Sequence, residues 1–356
     1  MRESRRRTSA VFFDSTNPVL VLRQFRRRTI SLLTAKEIFD LVRDDLVKVE
    51  QELALQNSSA IEPVNEISTY LLGGGGKRLR PALLLLSAGY AGYRGDSAIR
   101  LGAVVELIHS ATLIHDDVID GANTRRGRPS ANSRWGNHRS VLAGDWLYMQ
   151  SFQMALTERN FKILDVLIEL TQNMVEGELV QLNKLGRMDL TEEDALELAA
   201  RKTACLFAGC ARLGAVLGNL DDAGEQALAD YGHFSGLAFQ LVDDVLDFTA
   251  SPEQLGKPVL SDLKEGKVTL PLIYAMESAG AAGQRMVQTV LEEKGFESVR
   301  PEQITALVQE SGALDRTRAA AHDFAQRAKA CLNGNAKAEF GRALFTVPDF
   351  ILERDN

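Results

Sequence analysis

Apolar residues return every three or four positions along most of this chain. In AKEIFDLVRDDLVKVEQEL they fall at Ile38, Leu41, Val42, Leu46 and Val49, the spacing of one face of an α-helix. The stretches SAIRLGAVVELIHSATLIHDD, SVLAGDWLYMQSFQMALT, FKILDVLIELTQNMVEGELVQLNKL and TACLFAGCARLGAVLGNL read the same way. Several are apolar nearly all round, which predicts central helices covered by neighbours on every side. Glycine and proline punctuate them, with GGGG at 73–76, RRGRPS at 125–130 and TASPEQLGKP at 249–258. No segment alternates in the manner of a half-buried strand, and no Asn-Gly hairpin signal is found. The pattern predicts an all-α fold. It is read as a single large helical bundle over residues 35–356, because no Pro/Ser-rich linker divides that stretch.

Composition narrows the class. With 45% hydrophobic and 25% charged residues, the chain reads as a soluble globular protein. No uninterrupted apolar run approaches the ~18 residues of a membrane span. A net charge of −7 argues against nucleic acid as a partner. The three cysteines, Cys205, Cys210 and Cys331, show neither metal-site spacing nor an even count, which points to a reducing, cytoplasmic setting. Charge is uneven, however. Residues 1–34 hold eight arginines against Glu3 and Asp14, a net of +6 that leaves −13 on the rest. This arginine-rich extension is expected to be disordered. Organelle targeting and a membrane-surface patch are the other readings.

The chemistry is concentrated in two echoing segments, LIHDDVID at 113–120 and FQLVDDVLD at 239–247. Each sets Asp-Asp-x-x-Asp behind apolar residues: Asp116, Asp117 and Asp120, then Asp243, Asp244 and Asp247. On a helix the first and last of each set share a face, one turn apart. Carboxylates crowded into one cavity must take up protons or bind cations. Oxygen-only ligands suit Mg²⁺, which accepts one or two protein carboxylates and completes its shell with water and phosphate oxygens. A phosphate-bearing substrate then needs positive partners. Lys77, Arg78 and Arg80 stand in GGGGKRLRP at the start of a helix, where backbone N–H groups also favour anions. Arg125 and Arg126 follow Asp120 closely; Lys202 and Thr203 open another helix; Gln240 precedes Asp243 by about a turn; Lys257 and Lys267 flank the next loop. Each alone reads as a solvated surface charge, and a single aspartate cluster reads equally well as a solvated helix end. It is the company they keep that points to a site.

These blocks resemble, in order and spacing, the motifs of the trans-type polyprenyl diphosphate synthases: GGGGKRLRP, LIHDDVIDGANTRRGRPSAN, GDWLY, KTACLF, FQLVDDVLDF and GKPVLSDLKEGKVTLPLIYA. The resemblance covers residues 35–356. It implies a bundle around a central cavity, of the isoprenoid synthase type, and a homodimer. The implied reaction joins isopentenyl diphosphate to an allylic diphosphate primer, with three Mg²⁺ ions per active site when substrate is bound. Carried over residue by residue, Asp116 and Asp120 hold Mg²⁺ with Asp117 in support, and Asp243 holds a further ion beside Asp244 and Asp247. Lys77, Arg80, His109 and Arg126 match the isopentenyl diphosphate site. Arg125, Lys202, Thr203, Gln240, Lys257 and Lys267 match the allylic diphosphate site. The catalytic set is then Asp116, Asp117, Asp120, Asp243, Asp244, Lys202 and Lys257.

Product length is read from the face behind Asp116. Each helical turn deepens a pocket by about 5.4 Å. Short-chain members of the family carry a bulky aromatic near the positions of Ala111 and Thr112. Both residues are small here, so a tunnel past Ala111, Thr112 and Ile108 implies a C30–C50 product, with Phe152 and Met154 as candidates for its floor. A quinone side chain is the expected destination, with peripheral membrane contact for release of the product. The competing readings are a C15–C20 synthase, one subunit of a hetero-oligomeric synthase, a prenyl-binding regulatory subunit, a generic cation-binding scaffold and an ionisation-type terpene cyclase. The cyclase has no use for the second diphosphate site that Lys77, Arg80 and Arg126 would form.

Overall fold

A computed structural model describes residues 32–56, 61–73, 78–125, 127–250, 259–332 and 338–355, and helices make up almost all of them. The first, α1 (Ala35–Asp40), begins where Thr34 and Glu37 close a capping box, each side chain accepting from the other's backbone amide. Next come α2 (Arg43–Gln56), α3 (Glu62–Leu72), α4 (Leu79–Tyr90) and α5 (Asp96–Ile119). A short antiparallel pair, β1 (Thr124–Arg125) with β2 (Arg128–Pro129), interrupts the helices. Then follow α6 (Ala131–Trp135), α7 (Asn137–Leu156), α8 (Phe161–Lys184), α9 (Glu192–Ala199), α10 (Cys205–Leu217) and α11 (Asp222–Thr249). The chain closes with α12 (Ser261–Lys264), α13 (Leu270–Glu293), α14 (Pro301–Glu310), α15 (Ala313–Cys331) and α16 (Glu339–Leu352). Residues 32–356 make one compact unit. The arginine-rich extension, up to residue 31, lies outside the described residues.

The bundle is built around α4, α5, α10 and α11. Leu83, Leu84, Leu86, Leu101, Val104, Val105, Leu107 and Ile108 are essentially without solvent contact, which explains why the first two of these helices read as apolar on all sides. α5 packs on α7, α4 and α2; α10 packs on α11, α4 and α8; α11 is backed by α15 and α16. The Tyr231 hydroxyl, fully buried on α11, donates to the Leu344 carbonyl of α16 at 2.7 Å.

Two features depart from the sequence reading. The β1–β2 pair falls inside the stretch read as a turn, and two residues per strand are too few to show alternation. α5 is also long and apolar enough, by length and composition, to cross a membrane, with a mean hydropathy of 1.4 over an 18-residue window. Glu106 and His109 break the uninterrupted run that a sequence scan looks for. The packing shows what the apolarity serves, since 67% of that window is buried inside the bundle.

α10 and α11 approach each other unusually closely. A Cβ at Gly232 would lie 2.4 Å from the Phe207 carbonyl oxygen and 2.7 Å from Ala208 Cα; one at Gly236, a turn later, would lie 2.5 Å from Ala204 Cα. These are backbone atoms that cannot swing aside. We predict that Gly232→Ala destabilises the fold by about 1–3 kcal/mol through overpacking, although alanine is worth up to ~1 kcal/mol over glycine in an unhindered helix. Thermal unfolding gives the sign: a melting temperature at or above that of the parent protein would contradict the close approach.

Candidate active site

The last turn of α5 carries Asp116 and Asp117, with Asp120 as its C-cap, and the last two turns of α11 carry Asp243, Asp244 and Asp247. Asp116 and Asp243 line the same cavity, about 620 Å³ in volume. Arg80, His109, Thr112, Lys202, Thr203 and Gln240 line it too. The helical register accounts for α5's share: His109, Thr112 and Asp116 are three and four residues apart and point one way. Ala111 and Ile108 lie on the other side of α5, at 0% exposure in the core, and stand outside the lining. The same holds for Phe152 and Met154 on α7, which pack into the core rather than against the cavity.

Each outward-facing carboxylate meets a cation of the chain itself. Lys202 Nζ lies 3.7 Å from Asp116 Oδ2 and 2.7 Å from Glu178 Oε2. Lys267 Nζ donates to Asp120 Oδ2 at 2.9 Å, joining the mouth of the cavity to the segment before α13. Arg125 Nε donates to the buried Asp117 Oδ1 at 2.6 Å. Arg354, just past α16, reaches Asp243 Oδ1 at 3.1 Å with its guanidinium 4.4 Å from the Phe239 ring centroid. Side-chain hydrogen bonds also tie the second cluster to the segment that carries Lys202. The Thr203 hydroxyl donates to Gln240 Oε1 at 2.6 Å, and Gln240 Nε2 donates to Asp244 Oδ1 at 2.9 Å. Asp247 is 2% exposed and accepts from the Ser261 hydroxyl at 3.3 Å, while its own carbonyl accepts from the Leu260 amide; it pins α12 to α11.

This neutralisation is incomplete. Burial lifts Asp116 above the ordinary carboxylate range, with Lys202 opposing and the negative Glu178 and Asp120 adding to the rise. Burial likewise lifts Asp117, against the pull of Arg125. Asp244, fully enclosed, is pushed up to about 8 by burial, in spite of its bond from Gln240 and with Asp262, Asp243 and Asp247 nearby. Lys267 is held above the usual lysine range: burial works against its charge, but Asp120 and Glu265 more than offset it.

A divalent cation fits this arrangement. Among the described residues no three carboxylate, histidine or thiol groups converge into a ready-made cage. Mg²⁺ does not need one, since it keeps several waters and shares phosphate oxygens. The donors are all oxygen, as a hard ion prefers, and the carboxylates retain an excess of negative charge that such an ion would relieve. Asp116 and Asp243 line the cavity where it would sit, and Asp120 follows Asp116 by one turn on the same face of α5.

A second, smaller cavity of about 60 Å³ adjoins the first through His109 and is lined by Arg78, Glu106, Asp117 and Arg125. Arg78 sits in a left-handed backbone conformation (φ 46°) and directs its guanidinium to Glu50 and Glu106, so it braces α2 against α5. Of the remaining residues singled out from the sequence, Lys77, Arg126 and Lys257 lie outside the described residues.

Sequence reasoning passed over three participants. Glu178 sits on the cavity wall, but in a helix read only for its apolar period. Arg354 is far from every motif in sequence and carries no signal beyond a cation near the chain end. His115 packs its ring on Gly144, where a Cβ would lie 2.3 Å from Nε2, and this contact explains the glycine of GDWLY. Its Nε2 is 3.1 Å from the Val141 carbonyl, which ties α5 to α7.

The family profile described as Polyprenyl synthetase matches residues 61–309, a span that includes both aspartate clusters and the basic residues between them. The chain belongs to this family. It is a polyprenyl diphosphate synthase, hence a prenyltransferase, in the all-α isoprenoid synthase fold. The octaprenyl diphosphate synthase of Escherichia coli (strain K12) is 36% identical over 324 residues, which span 91% of this chain and 100% of that one. The short chain isoprenyl diphosphate synthase of Methanothermobacter thermautotrophicus is 34% identical, over 90% of this chain and 99% of the other. Among solved structures, polyprenyl synthase from Caulobacter crescentus CB15, complexed with calcium and isoprenyl diphosphate, superposes with a TM-score of 0.87 at 35% identity, covering 91% of this chain and 98% of that chain. Family members act on isoprenyl diphosphates and use divalent metal.

Arg354 offsets the charge of Asp243 in the ligand-free synthase. We predict that Arg354→Ala lowers its melting temperature by about 1–3 °C, the pair being partly exposed and worth under ~1 kcal/mol. Mg²⁺ with pyrophosphate should then raise the melting temperature of the variant by more than it raises that of the parent. Equal gains would mean that Arg354 does not shield Asp243.

Proposed function

We propose that this synthase adds isopentenyl diphosphate repeatedly to an allylic diphosphate and releases an all-trans polyprenyl diphosphate of C30–C50, for the side chain of a quinone. The observation that carries the reading is the wall behind Asp116. Thr112, a small residue, lines the cavity together with an apolar face formed by Met174, Val175, Leu179 and Leu182 of α8. A growing hydrocarbon needs such a wall, and a short-chain enzyme needs a bulky block where Thr112 stands.

The side chains on the wall suit the chemistry. Mg²⁺, held by Asp116, Asp120 and Asp243, would supply Lewis-acid charge against the departing diphosphate. Lys202 and Lys267 lie beside the same aspartates and are placed to donate to that diphosphate as its negative charge grows, which favours the transition state over the ground state. Thr203 and Gln240 bring neutral donors to the same edge. Arg80 and His109 face the cavity from α4 and α5, where they would hold the diphosphate of the incoming isopentenyl unit. The allylic cation is then attacked by the isopentenyl double bond, and the apolar wall keeps water from reaching the cation first. The proton lost afterwards passes to the departed diphosphate.

A homodimer is part of the same proposal. Leu142, Met149 and Leu156 on α7, and Phe161, Ile168, Val175 and Leu182 on α8, are exposed and recur every seven residues. Such a stripe on two neighbouring helices suits a helical partner.

Purified protein given Mg²⁺, isopentenyl diphosphate and farnesyl diphosphate should yield, by mass analysis of the dephosphorylated products, one dominant polyprenol at or above C30. In the same assay Thr112→Phe should shorten it without abolishing turnover. Products ending at C20 in the parent protein would refute the long-chain reading, and an unchanged length in the variant would refute the path past Thr112. We further predict a sedimentation mass of twice 39.1 kDa. A monomer mass, or activity that appears only on adding a second protein, would overturn the homodimer.

A further inference from the structure

We propose that Glu176, Gly177 and Glu178 of α8 form a clamp that positions the Lys202 ammonium, and so sets how tightly the site grips diphosphate. The proposal rests on the assignment of Lys202 to the allylic diphosphate made above.

The helix that carries Lys202 is irregular at that point. Between α9 and α10, residues Ala200–Ala204 widen into a single π turn, in which each bond spans five residues instead of four. Such a turn accommodates an extra residue and pushes the backbone outward. It faces α8 at Gly177, the one position there without a side chain to obstruct it. A Cβ at Gly177 would lie 2.8 Å from Arg201 Cβ and 3.3 Å from both Arg201 C and Lys202 N. Two helix backbones therefore touch where the ammonium-bearing residue begins.

Charge fixes the contact from both sides. Successive residues of an α-helix are ~100° apart around its axis, so Glu176 and Glu178 straddle Gly177. Glu176 Oε2 accepts from Arg201 Nη1 at 2.8 Å, and Glu178 Oε2 accepts from Lys202 Nζ at 2.7 Å. Three consecutive residues of α8 thus hold two consecutive residues of the π turn, one through the backbone and two through ion pairs. Lys202 emerges with its ammonium between Glu178 and Asp116, in the cavity lined by both. Glu178 is a positioning residue in this scheme and Gly177 is the fulcrum.

Because the clamp acts through Lys202, its disruption should cost nothing once Lys202 is gone. The experiment is calorimetric titration of the full chain with pyrophosphate in the presence of Mg²⁺, comparing the parent protein, Gly177→Ala, Lys202→Met and the double variant. Lys202→Met should weaken binding about tenfold, the order expected for one charge-assisted contact. Gly177→Ala should weaken it several-fold, and should add less than about twofold when Lys202 is already methionine, since residues acting through one group are non-additive. Parent-like binding by Lys202→Met would overturn the assignment of Lys202, and the clamp with it. A weak Lys202→Met beside a parent-like Gly177→Ala, or two losses that simply multiply, would overturn the clamp alone. Circular dichroism checks folding. If Gly177→Ala does not fold, Glu176→Ala takes its place in the same cycle, since it removes the ion pair to Arg201, and the same two outcomes decide.

Discussion

Everything in this site follows from placing carboxylates where water is scarce. Asp116, Asp117, Asp244 and Asp247 are buried or nearly so, and a lone ionised carboxylate in such surroundings is strongly disfavoured. Their position adds to the difficulty. The last turn of α5 bears the negative end of the helix dipole, which further disfavours Asp116 and Asp117 there, and Asp247 stands likewise in the last turn of α11. The fold answers with its own cations: Lys202 for Asp116, Lys267 for Asp120, Arg125 for Asp117 and Arg354 for Asp243. These pairs offset part of the negative charge; burial, with the charge left over, still holds Asp116 and Asp117 above the ordinary carboxylate range.

That arrangement makes substrate binding an exchange of partners. When a metal diphosphate enters, the aspartates can pass from ammonium to metal while the lysines pass from carboxylate to phosphate. The chain from Thr203 through Gln240 to Asp244 ties the second cluster to the residue next to Lys202. Removing Lys202, Lys267 or Arg125 would leave a largely buried carboxylate without its cation, whereas the Arg354–Asp243 pair is more exposed and costs less to break.

The sequence reading reached the helices because their apolar period is long and regular, and it reached the aspartates because a doubled Asp-Asp-x-x-Asp is rare without a purpose. It could not see what depends on rotation or on distant contacts. Whether Ala111, Thr112 or Ile108 faces the cavity is a matter of how α5 is turned against α7 and α4, and only Thr112 falls on the line of His109 and Asp116. Arg354 meets Asp243 across more than a hundred residues of chain. The π turn at Ala200–Ala204 has no signature in an apolar pattern, because one inserted residue shifts the phase without changing composition. Likewise the glycines at 144, 177 and 232 look interchangeable in the sequence, yet each is where one helix presses on another.

The α8 wall joins the reaction to the assembly. A helix offers only 3.6 positions per turn, and α8 must serve the cavity on one side and the outer surface on the other. Val175, Leu179 and Leu182 do both: they line the cavity and are 54%, 57% and 41% exposed. This apolar stretch of the lining is therefore open to solvent in the single chain. A second copy seated on the α7–α8 stripe would cover it, and would then bear on the same leucines and valine that the hydrocarbon touches from within. Under the proposed assembly, a substitution at Val175 or Leu182 would bear on the partner surface and on the cavity lining at once, because the same side chain serves both.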